Sequence, residues 1–172
     1  MKHLLLTTIA VVLLIGCGPL QSNAMSLHRA AEEGDIEAVK KHLAAGANKN
    51  VRAGKWRDTP LHRAAFWGYT EIVELLINNE VDVNAKLELN EPSTEWDWST
   101  PLHWAIIGRA DGVTTDKETA KLLIAKDADV NTLTNKGDAP LDFAVKYKQT
   151  EIADLLRKHG GKTAEELKAA GK

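Results

Sequence analysis

The stretch Thr59-Pro60-Leu61-His62-Arg63-Ala64-Ala65 decides the fold, because the chain repeats it. Its counterparts are Leu27-His28-Arg29-Ala30-Ala31, Thr100-Pro101-Leu102-His103-Trp104-Ala105-Ile106 and Pro140-Leu141-Asp142-Phe143-Ala144-Val145. Each copy is followed by a second apolar-periodic segment: Ala38-Val39, Ile72 to Leu76, Ala120 to Leu123 and Ile152 to Leu156. Three copies then close on a turn, at Gly46 to Asn50, Val81 to Asn84 and Ala128 to Asn131. Self-similarity on this scale means a stack of small units, each too small to bury its own apolar face.

The residue types state how one unit is built. Thr59 and Thr100 are N-cap residues, and the proline after each sits at the first helical position, where its missing N–H costs nothing. Ala64, Ala65 and Ala105 keep the first helix thin, so neighbouring units can approach closely. Gly34 and Gly68 permit a tight turn into the second helix. Ile72, Leu75 and Leu76, at i, i+3 and i+4, give that helix one buried stripe.

This pattern resembles the ankyrin repeat, with its Thr-Pro-Leu-His-x-Ala signature and period of about 33 residues. The resemblance runs from about Ser26 to Gly161. It implies an all-α solenoid of four helix-turn-helix repeats, at about 26–53, 54–86, 96–133 and 134–161. The repeat leucines are spaced by 34, 41 and 39 residues, which requires two insertions. One is Leu87 to Trp98, in the hairpin between repeats 2 and 3. The other is Arg109 to Asp116, inside repeat 3. The first repeat lacks Thr-Pro and carries Glu32-Glu33 and Lys40-Lys41-His42, as a solvent-facing cap should. The fourth has Lys148 where the family usually has glycine. After Gly160-Gly161, Thr163-Ala164-Glu165-Glu166 reads as a capping box opening a short last helix within 162–172.

The N-terminus stands apart from the repeats. Lys2 and His3 precede an apolar run of twelve residues, Leu4 to Ile15. Twelve is short of the roughly 20 residues that span a bilayer but suits a signal-peptide core. The run ends in Leu14-Ile15-Gly16-Cys17, which resembles the lipobox of bacterial lipoproteins. Residues 1–16 then form the signal peptide, Cys17 carries the lipid, and 17–25 are a tether. The competing expectation is an ordinary secreted protein cut after Ala24. Glycine after Cys17, in place of aspartate, points to the outer membrane by the enterobacterial rule. Cys17 is the chain's one cysteine, so the lipidated domain is expected to hold together by packing without disulfides.

Composition excludes several functions. There are 22 basic side chains, of which only Lys2 precedes residue 17, against 24 acidic ones. Nucleic-acid binding needs a clustered basic face, and this balance supplies none. The leucine-histidine pairs invite a metal reading, but helices pack about 8–10 Å apart, too far for His28, His62 and His103 to share an ion. Each histidine is expected to bond within its own turn. Ser99, His103 and Asp97 are near one another in sequence, without the Gly-x-Ser-x-Gly elbow of a hydrolase. No phosphate-cradling glycine loop is present. The chain is therefore expected to have no catalytic residues, cofactor or metal.

Five tryptophans against two phenylalanines and two tyrosines mark the surface chemistry. Ankyrin-like repeats usually bind through hairpin tips and the exposed face of each first helix. That register places Trp56 and Arg57 in one hairpin, Trp96 and Trp98 in the next, and Phe66 and Trp67 at the end of a first helix. Trp104 falls where the family usually has leucine, so it is assigned to the core. Arg63 and Arg109 frame an aromatic face whose residue types are those of binding hot spots. The alternative is that the tryptophans only pack over the hairpins. The expected function is a monomeric, membrane-tethered module that binds a protein partner in the cell envelope, facing the periplasm. An immunity or inhibitor protein occluding a toxin or enzyme fits the same residues, and a hydrolase is the rival of a different class.

Overall fold

The computed structural model describes residues 20–87, 99–108 and 117–171, with side chains from Leu27 onward. Among them nine helices follow one another: α1 Leu20–Glu33, α2 Ile36–Ala44, α3 Pro60–Trp67, α4 Thr70–Asn78, α5 Pro101–Ile107, α6 Lys117–Ala125, α7 Pro140–Lys146, α8 Thr150–Lys158 and α9 Ala164–Ala169. The described residues contain no strand, only a single bridge between Ala53 and Asp58. Four helix pairs stack side by side. The first helices α1, α3, α5 and α7 make one row, and α2, α4, α6 and α8 make the second. The fold is the expected all-α solenoid. Helix α1 already begins at Leu20, within the 17–25 span assigned to a tether.

The repeat residues build the interior between the two rows. Leu27, Leu61, Leu102 and Leu141 are fully buried, as are Ala30, Ala64, Ala105 and Ala144. Ile72, Leu76, Leu123, Ile152 and Leu156 meet them from the second row. Burying each of these large side chains contributes roughly 1.5–3 kcal/mol. The position after the repeat alanine shows what stacking does. Ala31, Ala65 and Ile106 are buried under the next unit, whereas Val145 of the fourth repeat is 60% exposed.

The Thr-Pro-Leu-His segment starts its helix as expected. In repeat 2 the Thr59 hydroxyl accepts from the His62 backbone N–H, and His62 Nδ1 reaches back to the Thr59 hydroxyl at 2.9 Å and to its backbone N–H at 3.3 Å. His103 does the same for Thr100, at 3.0 and 3.1 Å. His62 also extends beyond its own turn. His62 Nε2 donates to the carbonyl of Ser99, the last residue before the next repeat, at 3.3 Å. His28 departs from the expectation. With no Thr-Pro turn to bond, its Nε2 meets the Asp58 carboxylate 2.8 Å away, in the hairpin before repeat 2.

A link between repeats that the sequence did not announce runs along the turns. The side-chain oxygens of Asn50, Asn84 and Asn131 accept the backbone N–H of Asp82, Asp129 and Lys162 in the following unit. Asn84 and Asn131 also donate to the carbonyls of Asp127 and Gly160. Each turn is thereby pinned to its successor, and the last is pinned to the segment leading into α9.

Repeat 4 ends the array by changing one residue type. Where repeats 2 and 3 have a histidine, it has Asp142, whose Oδ2 accepts from Ala139 N at 2.8 Å and from Ala164 N at 2.9 Å. A following hairpin offers a carbonyl and needs a donor. The start of a helix offers an N–H and needs an acceptor. The Thr163–Glu166 capping box forms as expected, and Leu167 of α9 is buried.

Candidate functional site

The hairpin before repeat 2 is built to present its tip. Ala53 and Asp58 pair across its base, and Arg57 N–H closes a turn on the Gly54 carbonyl. Two tip residues lie in the left-handed region, Gly54 at φ 67° and Arg57 at φ 48°. For arginine that conformation is costly. Lys55 and Arg57 are exposed, and Trp56 between them is half-buried, its ring 4.7 Å from the Lys55 ammonium.

A groove of about 210 Å³ opens beside Trp56, with Arg63 and Phe66 of α3 and Trp104 and Ile107 of α5 as its other walls. Both helices contribute the same two positions, the second and fifth residues after the repeat leucine. Side chains three apart share one helix face. Phe66 and Trp104 meet edge-on at 5.6 Å, and Trp104 also lies edge-on to His62 at 5.4 Å. The Trp104 indole N–H donates to the Ser99 hydroxyl at 2.9 Å. That bond fixes the ring and engages the serine that the hydrolase reading needed. The assignment of Trp104 to the core is corrected here. Its ring is half-buried, because the face of α5 that would be covered in a thicker fold borders the groove.

Arg63 has a fixed place beneath the aromatics. Its guanidinium donates to both Asp58 carboxylate oxygens, to Oδ1 at 3.1 Å, and to Glu32 at 3.1 Å. It also lies 5.8 Å from the Trp104 ring. Asp58 is fully buried, taking one bond from His28 in repeat 1 and two from Arg63 in repeat 2. Burial alone would raise its pKa. The bonds from His28 and Arg63 outweigh that and hold it below the ordinary value. His62 and His103 carry no such compensation. Burial pushes their pKa down to about 4 and about 3, only partly opposed by the backbone of Ser99 and of Asp138 respectively. Both are neutral at physiological pH.

The same pair of positions in repeat 4, Phe143 and Lys146, lines a second hollow of about 250 Å³ with Asp138 and Asp142. The stripe therefore runs from Arg29 and Glu32, through the aromatic groove, to Phe143 and Lys146. Among the described residues no group of three or more His, Cys, Asp or Glu side chains is placed to hold a metal ion.

The expected binding residues separate on this geometry. Trp56 and Phe66 line the groove, and Arg57 stands on its rim hairpin. Trp67 packs edge-on against Phe66 at 5.6 Å and is not one of the walls. Trp96, Trp98, Arg109 and Cys17 lie outside the described residues. The sequence reading missed Ile107, misplaced Trp104, and treated Arg63 as a frame. The signal that finds all three is positional: the second and fifth residues after each repeat leucine.

Comparison with known proteins agrees with this architecture. The family model described as "Ankyrin repeats (3 copies)" matches residues 10–87, 27–115 and 89–166. The neurogenic locus notch homolog protein 2 of Homo sapiens is 30% identical over 141 residues, which is 81% of this chain and 5% of that protein. The ankyrin repeat and SOCS box protein 5 of Bos taurus is 47% identical over 60 residues, 35% of this chain and 18% of that protein. The protein phosphatase 1 regulatory subunit 12A of Mus musculus is 32% identical over 122 residues, 64% of this chain and 10% of that protein. The chain thus spans only a small part of each of these relatives. With family matches across most of its length and repeats that fold and stack as described, this chain belongs to the ankyrin-repeat family.

Proposed function

We propose that this protein is a lipid-anchored ankyrin-repeat module that holds a protein partner at the surface of a bacterial envelope membrane. Ankyrin repeats are in general protein–protein interaction modules, and one relative is by name a regulatory subunit of a phosphatase. The observation that carries the reading is the groove, where Trp56, Phe66, Trp104 and Ile107 present apolar surface on the helix row that such modules use. Large aromatic side chains around a partly desolvated arginine are the usual composition of a binding hot spot. The anchor rests on the apolar run Leu4 to Ile15 ending at Cys17. Among the described residues no helix is long and apolar enough to cross a membrane. One acyl chain holds a protein only marginally, while two or three hold it stably.

Two experiments test the two parts. The full chain expressed in a bacterial host should sediment with membranes, and Cys17→Ser should release it to the soluble fraction. A soluble wild-type chain, or an unreleased variant, would remove the anchor from the proposal. Affinity capture from envelope extract should retrieve a protein with wild type and lose it with Trp56→Ala/Phe66→Ala folded to the same helicity. Equal capture by both would move the binding face away from the groove.

A further inference from the structure

The groove also carries information on which segment of a partner it takes, an inference that rests on the binding reading above. Its volume, about 210 Å³, exceeds the roughly 150 Å³ that accommodates benzene in an apolar cavity. One large apolar side chain fits. The nature of that side chain's surroundings follows from the charges at floor and rim.

At the floor, the Arg63 guanidinium is already shared between two carboxylates, Asp58 and Glu32. Its positive charge is spent within the fold, so a third carboxylate there would meet like charges. What it still offers is geometric: three of its five N–H groups have partners, and the others can donate to a neutral carbonyl. The floor therefore accepts an uncharged anchor. At the rim the situation is reversed. Lys55 and Arg57 are exposed on either side of Trp56, and no carboxylate among the described residues pairs with either. Arg57 keeps this position at a backbone angle that glycine or asparagine would adopt more cheaply.

We infer that the groove recognises a partner segment carrying one large apolar or aromatic side chain flanked by acidic residues, the anchor entering between Trp56, Phe66 and Trp104 and the flanking carboxylates meeting Lys55 and Arg57. The Arg63 guanidinium donates a hydrogen bond to a backbone carbonyl of the segment. Affinity then comes from the aromatic walls, and the two cations select the flanks and speed encounter, an effect that salt screens.

The test is a fluorescence-anisotropy titration of the whole chain with three labelled peptides of one length. One holds a single tryptophan between Asp and Glu flanks, one holds the same tryptophan between Lys flanks, and one replaces the tryptophan by alanine within acidic flanks. The chain's own Glu95-Trp96-Asp97-Trp98 has the same chemistry. The titration is therefore repeated with these four residues replaced by serine, so that intramolecular competition cannot mask binding. The acidic tryptophan peptide should bind about tenfold tighter than the basic one at low salt. That preference should shrink as salt rises, and the alanine peptide should not bind. The variant Lys55→Glu/Arg57→Glu should reverse the preference without changing the melting temperature.

Equal binding of acidic and basic tryptophan peptides would overturn the inference while leaving the groove as the binding face. Absence of binding by any peptide up to about 1 mM, where recognition is negligible, would overturn it too. Failure of the binding reading itself would show separately, as capture from envelope extract unaffected by Trp56→Ala/Phe66→Ala.

Discussion

Lys148 shows at single-residue scale how far a repeat can depart from its pattern. It occupies the position of Gly34 and Gly68 at φ 56°, in the left-handed region where only glycine is unstrained. The strain costs about 1 kcal/mol, and glycine gives back part of it through a more flexible unfolded chain. Lys148→Gly should therefore raise stability by about 0.5–1 kcal/mol, seen as a melting temperature about 2–4 °C higher; an unchanged or lower value would contradict this account. The opposite limit is Gly34, where a Cβ would fall 2.7 Å from the Tyr69 ring. There glycine serves both the backbone angle and the close approach of the next repeat.

The buried histidines give the fold an acid limit. An unfolded histidine titrates near pH 6.5, while His62 and His103 are held neutral down to about 4 and about 3. Below pH 6.5 the unfolded chain binds protons that the folded chain refuses, so stability is complete above that pH and declines beneath it. Between pH 7 and pH 5 each histidine should remove up to about 2 kcal/mol. Asp58 adds to the loss only below its ordinary range, because its pKa is depressed and its contribution is present above that range. Urea midpoints at pH 7 and pH 5 measure the difference, and His103→Asn, which retains a side-chain acceptor for the cap, should reduce it by about half, His62 keeping the rest. A midpoint that does not move between the two pH values would falsify the assignment.

At the scale of elements, α9 is fastened by three sets of polar contacts and one buried leucine. Asp142 Oδ2 holds the first N–H of the helix, Asn131 holds Lys162 N–H, and Arg157 forms two bonds of 2.8 Å to Glu166. The exposed Arg157 pair contributes little, so the fastening rests on Asp142 and on burial of Leu167. Asp142→His would restore the residue found in repeats 2 and 3, yet it would turn an acceptor into a donor facing a donor. The expected cost is about 1–2 kcal/mol, with faster hydrogen exchange over 164–170 than over α5. Unchanged exchange there would show that Asp142 does not hold α9.

Across the whole molecule, stability is carried by interfaces between neighbours. The interface of repeats 1 and 2 is unusual in resting on a buried charge. Asp58 is fully enclosed between His28 and Arg63. Removing one partner from such a group is costly, about 3 kcal/mol or more, because the remaining charge stays buried. Asp58→Leu should destabilise by about that amount and let 27–50 exchange ahead of α5 and α7. It should also weaken partner capture, since Arg63 loses its two bonds and its place at the groove. Cooperative unfolding at wild-type stability would contradict both expectations.

The solenoid was legible in the sequence because every contact that defines a repeat is local. Thr-Pro caps, a glycine turn and an i, i+3, i+4 stripe are satisfied within about 33 residues, and the repetition gives several chances to read them. The breaks in spacing also call for insertions at Leu87 to Trp98 and Arg109 to Asp116, which apart from Leu87 lie outside the described residues. The groove was only half legible. Trp56 and Phe66 stood out by type and position, but their counterparts Trp104 and Ile107 are about forty residues further along, and only stacking brings the two helices face to face. A tryptophan in a leucine position reads as core until the neighbouring repeat decides which side of its helix is covered. The links between units, from asparagine to the next turn and from His28 to Asp58, were likewise decided by tertiary structure. They pair residues 30 to 45 apart, and no local pattern states which donor will meet which acceptor. Local chemistry determined the repeating unit, and the offset between successive units determined the surface.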